Sequence, residues 1–169
     1  MKINIRKGNI LDMPAVLNLI EQLAIFEKEP HAVETTVQDL ERDGFCINPL
    51  FETFVAEIDN VTNGDKNAKN IVGIALYYYR YSTWKGRTLH LEDLIVDENV
   101  RGSGCGFALY SEIIKQAKRD NVRRVEWNVL GWNKPAIDFY EKSGANVLNE
   151  WWCVQMDETG IDSFLEKFQ

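Results

Sequence analysis

The sequence predicts an α/β fold, of the α+β kind, in which helices flank one mixed and largely antiparallel sheet. Three strand-like segments, at residues 51–58, 71–81 and 88–96, follow one another with no helix between them, as in an antiparallel meander. A glycine-rich stretch at residues 101–106 then leads into a segment whose apolar residues recur at helical spacing. The 169 residues suffice to bury one core, and we expect a single domain over residues 1–169.

The other elements follow from the same signals. Asp12 is a candidate N-cap for a first helix that carries Pro14 in its first turn, and Pro30 is expected to end that helix. Residues 59–70 are polar and predict an exposed loop between two strands. The remaining expected elements are strands at residues 2–6, 124–130 and 151–156 and helices at residues 35–43, 107–117, 133–142 and 161–168.

The composition excludes several classes of protein. The formal net charge of −7 argues against a nucleic-acid partner, which binds a basic face, and is compatible with a cationic ligand. No apolar run approaches the ~20 residues of a membrane span, and the first residues lack the apolar core of a signal peptide, so we expect a cytoplasmic protein without a membrane partner. Three scattered cysteines and two histidines predict neither a disulfide framework nor a metal centre.

Residues 96–106 contain the most specific motif, in which Arg101 is followed by Gly102, Gly104 and Gly106 between a strand and a helix. Backbone N–H groups at a helix N-terminus are unpaired, and the aligned peptide dipoles favour an anion there. Glycines allow the backbone to approach a bulky diphosphate, and Arg101 can add a charge-assisted contact. The motif therefore predicts a diphosphate site, with a purely structural glycine turn as the alternative.

Two other phosphate-binding motifs do not fit this segment. A P-loop ends in Gly-Lys-Ser/Thr, whereas Phe107 follows Gly106 here. A dinucleotide-binding unit needs another glycine spacing within a βαβ unit, whereas the strands before this loop are predicted to be antiparallel. An enzyme that acts on nucleotide phosphates is therefore disfavoured.

The pattern Arg-x-x-Gly-x-Gly, after a strand at residues 91–96, resembles the pyrophosphate-binding motif of the GNAT superfamily of N-acetyltransferases. Residues 132–145, Trp-Asn-Lys-Pro-Ala-Ile-Asp-Phe-Tyr-Glu-Lys-Ser-Gly-Ala, resemble the second signature of that superfamily, Asn-x-x-Ala-x-x-Phe-Tyr-x-x-x-Gly. Within the superfamily the chain resembles the diamine acetyltransferases, which include the spermidine/spermine and thialysine N-acetyltransferases, over residues 5–157. Further blocks that carry this resemblance are residues 23–27, 39–45, 55–57, 77–86 and 91–93.

The resemblance implies the GNAT fold and acetyl-CoA as co-substrate, and no metal is expected from the composition. Backbone groups of residues 94–96 should face the pantetheine arm, which can pair like a short extra strand. Asn133 should contact the same arm or cap the helix that follows it, and Lys142 should reach the phosphates or face solvent. The full expected cofactor set is Leu94, Ile95, Val96, Arg101, Gly102, Ser103, Gly104, Cys105, Gly106, Phe107, Asn133, Lys134, Pro135, Ala136, Tyr140 and Lys142.

Direct acetyl transfer requires a neutral amine and a proton for the departing thiolate. An alkyl amine has a pKa of ~10.4, so supplying its neutral form at pH 7 costs about 4–5 kcal/mol. By resemblance Tyr140 is the expected acid, although a half-buried tyrosine on an amphipathic helix is the alternative. Glu92 is the expected base, acting through ordered water, or it holds the ammonium by charge alone. Asp93 should point to the other side of the strand and serve as a structural hydrogen-bonding residue.

The amine is expected to bind in an anionic trough. By resemblance the substrate contacts are Phe26, Glu27, Trp84, Glu92, Glu126, Trp127 and Asn128, and the two tryptophans are available for cation–π contact. Trp84 can instead be a core or dimer-contact aromatic residue. Ser82 stands where members that prefer polyamines carry an aspartate, so a short diamine or a thialysine-like amino acid is as well supported as a polyamine.

Other functions stay open at this point. A different GNAT enzyme would acetylate a protein lysine or an aminoglycoside, and a non-catalytic module would bind acetyl-CoA without turnover. The presence of both Tyr140 and Glu92 argues against the non-catalytic module. The resemblance also implies a homodimer, and the adjacent Trp151 and Trp152 suggest an aromatic surface that a partner covers.

Overall fold

The computed structural model describes residues 2–59 and 69–168. Its strands are β1 (Ile3–Lys7), β2 (Glu52–Asp59), β3 (Lys69–Ser82), β4 (Gly86–Val96) and β5 (Val125–Glu126). Its helices are α1 (Met13–Phe26), α2 (Val37–Gly44), α3 (Cys105–Arg119), α4 (Lys134–Lys142) and α5 (Glu158–Phe168), with short 3-10 turns at Ile10–Asp12 and Glu98–Val100. The described chain divides into two compact units, Met1–Asn128 and Val129–Gln169, so the single domain stays a prediction.

The first unit is built on a sheet with the strand order β1-β2-β3-β4-β5. The pairings from β1 to β4 are antiparallel, whereas β5 lies parallel to β4. The parallel pairing follows from α3, which carries the chain back along the sheet between these two strands. The predicted fold class, a mixed and largely antiparallel sheet flanked by helices, is therefore confirmed.

Helices cover both faces of this sheet. One core cluster consists of Met13, Val16, Leu19 and Leu40 from α1 and α2 with Val55, Ile74 and Ile95 from the sheet. Gly73 faces the other way from its neighbour Ile74, and a Cβ built on Gly73 would lie 3.0 Å from the side chain of Leu109 on α3. We call the two sides the α1 face and the α3 face. Each fully buried aliphatic side chain contributes about 1.5–3 kcal/mol to this packing.

The start of α1 differs from its prediction in one contact. Asp12 makes no side-chain cap bond to α1, because its carboxylate accepts the backbone N–H of Asn9 at 2.7 Å. The same carboxylate accepts a hydrogen bond from Arg6 at 2.6 Å, and Arg6 donates to Glu57 of β2 at 2.5 Å. Asp12 therefore fastens the entry of α1 to the sheet rather than capping the helix.

The end of α1 comes earlier than Pro30 predicts. The helix ends at Phe26, and Lys28 adopts a left-handed φ of 69° that no α-helix can continue. Glu27 therefore lies just beyond the last helical turn. The short helix predicted at residues 35–43 is confirmed as α2, with Thr36 and Asp39 forming its capping box.

The last strands are shorter than predicted. β5 covers only Val125–Glu126 instead of residues 124–130, and its ladder with β4 stops where β4 becomes irregular. Residues 151–156 form no strand, because none of the described residues supplies them with a ladder partner. The loop predicted at residues 59–70 lies mostly outside the described residues, and Lys69 and Asn70 already belong to β3.

The second unit contains α4 and α5. α4 has Asn133 as its N-cap and Pro135 in its first turn, as predicted, and Gly144 follows it with a φ of 96°. α5 covers the helix predicted at residues 161–168 and begins three residues earlier, at Glu158. Among the described residues, no helix combines the length and apolar character that crossing a bilayer requires.

Candidate functional site

The loop between β4 and α3 depends on two glycines with left-handed backbones. Gly102 and Gly104 have φ values of 77° and 86°, a region that costs other L-residues about 1–2 kcal/mol. A Cβ built on either glycine meets nothing within 4 Å, so the space beside the loop is open. The loop is therefore shaped to let a bulky group approach its backbone closely.

The N-terminus of α3 faces this open space without a side-chain cap. Its N-cap residue is Gly104, which has no side chain, and the first helical bond runs from the N–H of Ala108 to the carbonyl of Gly104 at 3.0 Å. The amides of Cys105 and Gly106 precede that bond and have no partner within the helix. This arrangement suits an anion, and the diphosphate site itself stays a prediction.

The second half of β4 has an open backbone edge. Within the described residues, β4 and β5 share only the pairs Leu89↔Val125 and His90↔Glu126. The N–H of Asp97 bonds to the carbonyl of Val72 at 2.8 Å, so by alternation the backbone groups of Leu94 and Val96 face away from β3. Residues 94 and 96 therefore direct backbone groups toward the open edge, where the carbonyl of Val96 also accepts from Arg101, whereas Ile95 faces β3. Their contact with a pantetheine arm stays a prediction.

Arg101 is held in place by two contacts within the first unit. Its Nε donates to the carbonyl of Val96 at 3.1 Å, and its guanidinium lies 5.4 Å from the ring centre of Phe26. Arg101 therefore connects the end of β4 with the end of α1. A phosphate contact from this side chain, as the sequence predicts, stays a prediction.

A β-bulge in β4 places two carboxylates on one face of the sheet. Leu76 pairs with Asp93 and Tyr77 pairs with Leu91, so Glu92 is an extra residue between them. Asp93 and His90 therefore lie opposite Leu76 and Tyr78, which share the α1 face. Glu92 faces the same way, since its Oε2 lies 3.4 Å from Nε2 of His90. The prediction that Asp93 points away from Glu92 is wrong, because simple alternation does not continue through a bulge.

The two neighbouring carboxylates have opposite electrostatic environments. Hydrogen bonding from His90 lowers the pKa of Glu92, and the Tyr78 hydroxyl also contributes. Burial, followed by the charges of Glu92 and Glu27, raises the pKa of Asp93 to about 6. Burial also raises the pKa of Glu27. The site therefore holds one carboxylate that is firmly ionised and one that titrates near neutrality.

Three predicted substrate contacts have other partners or positions. Glu126 forms ion pairs with Arg80 at 2.7 Å and with Arg124 at 2.8 Å, which compensate its charge. Trp127 packs edge-to-face on Tyr110 of α3, with ring centres 5.7 Å apart. Trp84 is 77% exposed and precedes β4 at the end opposite to the glycine loop.

The position of Trp84 separates it from the carboxylates of the same chain. β4 rises by about 3.3 Å per residue, so the turn that carries Trp84 lies roughly 25 Å from Glu92. The structure therefore does not bring Trp84 into the predicted trough. Asn128 is exposed and follows Trp127, and Phe26 and Glu27 lie at the end of α1.

The second signature forms the first helix of the second unit. Oδ1 of Asn133 accepts the N–H of Ala136 at 3.3 Å, so Asn133 caps α4, which was its alternative role. Lys134 and Pro135 open the helix, and Lys142 is exposed in its last turn. Tyr140 packs against Phe139, with ring centres 5.3 Å apart. Its role as an acid stays a prediction.

Sequence reasoning missed His90 and Tyr78, and it misplaced Asp93. His90 is buried and its ring lies 5.1 Å from that of Tyr78 on the adjacent strand. The signal available in the sequence was the spacing of His90 and Glu92, which places them on one side of a strand. No local signal marks the bulge, because it arises from the pairing of two strands.

The chain is similar to a known family of proteins and to curated relatives. The model of the Acetyltransferase (GNAT) family matches residues 16–145, which include the glycine loop, the bulge and α4. Thialysine N-epsilon-acetyltransferase of Bos taurus is 36% identical over 156 residues, which cover 90% of this chain and 91% of that protein. Spermidine/spermine N(1)-acetyltransferase-like protein 1 of Homo sapiens is 36% identical over 141 residues, which cover 83% of this chain and 20% of that protein.

A solved structure shows the same fold. AAC(6′)-Iy, in complex with the bisubstrate analogue CoA-S-monomethyl-acetylneamine, superposes with a TM-score of 0.71 and 16% sequence identity. The superposition covers 93% of this chain and 99% of that chain. The similarity therefore extends over nearly the whole length of both chains.

Proposed function

This chain belongs to the GNAT family of acetyltransferases, and we propose that it transfers an acetyl group from acetyl-CoA to a primary amine of a small cationic substrate. The observation that carries the proposal is the juxtaposition of two features on β4. An uncapped helix N-terminus follows the strand, and a pair of carboxylates lies on the strand itself. The first suits the diphosphate of a coenzyme, and the second suits a cationic amine.

Acetyl-CoA fits the residues of the first unit. The amides of Cys105 and Gly106, with the open space beside Gly102 and Gly104, would hold the diphosphate. The outward backbone groups of Leu94 and Val96 would pair with the amides of the pantetheine arm. When bound, the coenzyme supplies the activated thioester, and the protein has to position the amine and move two protons.

Tyr140 is the residue that we propose as proton donor to the departing thiolate. The support is its place in the second signature, since the matching tyrosine of the resembled family has this role. A phenol with a reference pKa of ~10 stays protonated at pH 7 and can donate when the thiolate forms.

Among small amines, we infer that an amino acid with an ω-amine, such as thialysine, is preferred over a long polyamine. Ser82 removes a carboxylate that polyamine-preferring relatives have, and the bovine relative that matches 90% of the chain is named for thialysine. Arg80 lies on the same face as His90 and is half-exposed. Although Arg80 pairs with Glu126, its half-exposed guanidinium has further N–H groups that suit the α-carboxylate of an amino acid and not the far end of a polycation.

Steady-state kinetics with a panel of acceptors tests this function. Thialysine, a short diamine, spermidine, a lysine peptide and an aminoglycoside are each supplied with acetyl-CoA, and release of the free thiol is followed. We expect the highest kcat/KM with thialysine. Highest activity with spermidine would contradict the substrate preference alone. Acetyl-CoA binding without thiol release on any amine would contradict acetyl transfer and support a non-catalytic module.

We also propose that the protein forms a homodimer, as the family resemblance implies. Residues 151–156 expose large apolar side chains, among them Trp151 at 72%, Trp152 at 88% and Val154 at 91%. Such a cluster is typical of a surface that a partner covers. Light scattering of the purified protein tests this, and a monomeric mass would contradict it.

A further inference from the structure

We propose that Asp93, rather than Glu92, accepts the proton of the acceptor amine, while Glu92 holds the substrate's ammonium group as a fixed negative charge. The inference rests on the proposed function and assigns a different role to each of the two carboxylates. It is carried by the bulge in β4 and by the different partners of the two side chains.

Because of the bulge, the side chain of Asp93 lies on the same face of the sheet as that of Glu92, so Asp93 can act as the proton acceptor. In a regular strand Asp93 would face α3, on the side away from Glu92. Because Glu92 is the extra residue, Asp93 pairs with Leu76 and joins Glu92 and His90 on the α1 face. Asp93 is also closer in sequence to Leu94 and Val96, whose outward backbone groups would align the thioester arm. Both carboxylates can therefore face one bound amine.

The Glu92 carboxylate already accepts hydrogen bonds from neighbouring donors. Nε2 of His90 lies 3.4 Å from its Oε2, and the hydroxyl of Tyr78 also donates to it. Donors that favour the ionised form of a carboxylate make it a weaker base. Glu92 therefore suits the binding of a cation better than the removal of its proton.

Asp93 has the opposite surroundings. Among residues 2–59 and 69–168, none donates a hydrogen bond to its carboxylate or forms an ion pair with it. The charged groups whose fields reach it are Glu92 on its own strand and Glu27 beyond the end of α1, and both are negative. Asp93 is therefore a partly buried carboxylate that lies near two other carboxylates and accepts no hydrogen bond from the described part of the chain. Binding of a cation or a proton would relieve this electrostatic repulsion.

The electrostatic surroundings of the two carboxylates support this assignment. The pKa of Asp93 is raised to about 6, whereas that of Glu92 is lowered. Proton transfer is most efficient when the pKa of the base lies near the working pH. At pH 7 Asp93 is still mostly ionised and therefore ready to accept a proton.

The proposed reaction removes two protons from the ammonium group. One proton of the ammonium group passes to the Asp93 carboxylate, and the neutral amine nitrogen forms a bond with the thioester carbonyl carbon. The carbon–sulfur bond breaks, and the thiolate takes the proton of the Tyr140 phenol. The second amine proton restores Tyr140, and Asp93 later releases its proton to solvent. The products are the amide, the free thiol of the coenzyme and one proton.

Steady-state kinetics of variants at the two carboxylates test the inference. We expect Asp93→Asn to lower kcat by about 10²–10³-fold with little change in KM for the amine, as for loss of a general base. Glu92→Gln should raise KM for the amine by about 10-fold or more and change kcat little, as expected when uniform binding is lost. Glu21→Gln, on an exposed position of α1, is the matched control and should change neither.

The decisive readout is the acidic limb of the kcat/KM profile. In the wild type, activity should fall as the pH drops below about 6, and Asp93→Asn should lack this limb. Asp93→Glu should be more active than Asp93→Asn and should again show an acidic limb in its kcat/KM profile. The inference would be overturned if Asp93→Asn kept the acidic limb of the profile. It would also be overturned if Glu92→Gln lost that limb. If Asp93→Asn fails to fold, the Asp93→Glu and Glu92→Gln profiles still decide. Inactivity of the wild type on every amine would instead refute the proposed function.

Discussion

Tyr140 carries a single reactive atom, the phenol oxygen, and Tyr140→Phe removes that atom alone. The ring contacts Phe139, and the backbone carbonyl accepts the hydroxyl of Ser143 at 2.6 Å, so the substitution keeps both of these contacts. We expect Tyr140→Phe to lower kcat by about 10²–10⁴-fold, since a positioned acid contributes about that much. The Kd for acetyl-CoA should stay unchanged, as measured by calorimetry.

Tyr81→Phe is the control for that substitution. Tyr81 is 78% exposed at the end of β3, and removal of its hydroxyl should leave kcat unaltered. Full turnover by Tyr140→Phe would remove Tyr140 from the proposed chemistry and leave it as a packing residue.

His90 explains why two adjacent carboxylates behave differently. The sequence predicted Glu92 as a site residue through the family resemblance, but it offered no means to assign its charge state. That state depends on a histidine two positions earlier and on a tyrosine from the adjacent strand, whose ring lies 5.1 Å from the histidine. The identity of a site residue was therefore predictable, whereas its electrostatic environment was not.

Among the elements, the glycine loop was the easiest to predict, because its requirements are local. Left-handed backbones need glycine, and the absence of a side chain at Gly104 leaves the N-terminus of α3 uncapped. We expect Gly104→Ala to destabilise the fold by about 1–2 kcal/mol and to raise the Kd for acetyl-CoA at least 10-fold, because the added Cβ strains the backbone and enters the open space.

Gly86→Ala provides a matched comparison for the loop. Gly86 has a φ of 79° and open space around its Cβ position, but it is the first residue of β4, at the end of the strand opposite to the glycine loop. Urea unfolding should show a similar loss of stability for both variants, whereas only Gly104→Ala should weaken acetyl-CoA binding. Equal Kd values for the two would refute the coenzyme site at α3.

The strands were predicted less well than the helices, since pairing decides where a strand ends. The apolar pattern of residues 124–130 is continuous, yet β5 stops at Glu126 because the bulge at Glu92 disrupts its neighbour. Residues 151–156 have a strand-like composition but no ladder partner among the described residues. Helices such as α3 and α4 close their hydrogen bonds within the segment, so their sequence alone was sufficient.

For the molecule as a whole, the ionised carboxylate of Asp93 should lower the free energy of unfolding at neutral and higher pH. The pKa of Asp93 rises from 3.8 to about 6 on folding, so the folded state binds a proton that the unfolded state has already lost in this interval. Stability therefore falls as the pH rises from about 4 to about 6, and the loss persists at higher pH. Removal of this charge should make the protein more stable at pH 8.

Urea unfolding of Asp93→Asn at pH 4 and pH 8 measures this effect. We expect the variant to exceed the wild type by roughly 1–3 kcal/mol at pH 8 and by much less at pH 4, since one pKa unit corresponds to 1.36 kcal/mol and Asp93 is only partly buried. The opposite trend, with a less stable variant at pH 8, would mean that the carboxylate is stabilised by the fold. A gain in stability together with a loss of turnover would be typical of a functional residue.

The open edge of β4 has a further consequence for the protein before it meets its coenzyme. Unpaired strand backbone is a template for intermolecular pairing, and an edge of this kind promotes aggregation unless something blunts it. Arg101 already occupies the carbonyl of Val96, and a charged side chain there discourages a second chain from docking. A coenzyme arm bound along Leu94 and Val96 would cover the rest of this edge. The coenzyme would then reduce self-association of the protein in addition to serving as a substrate.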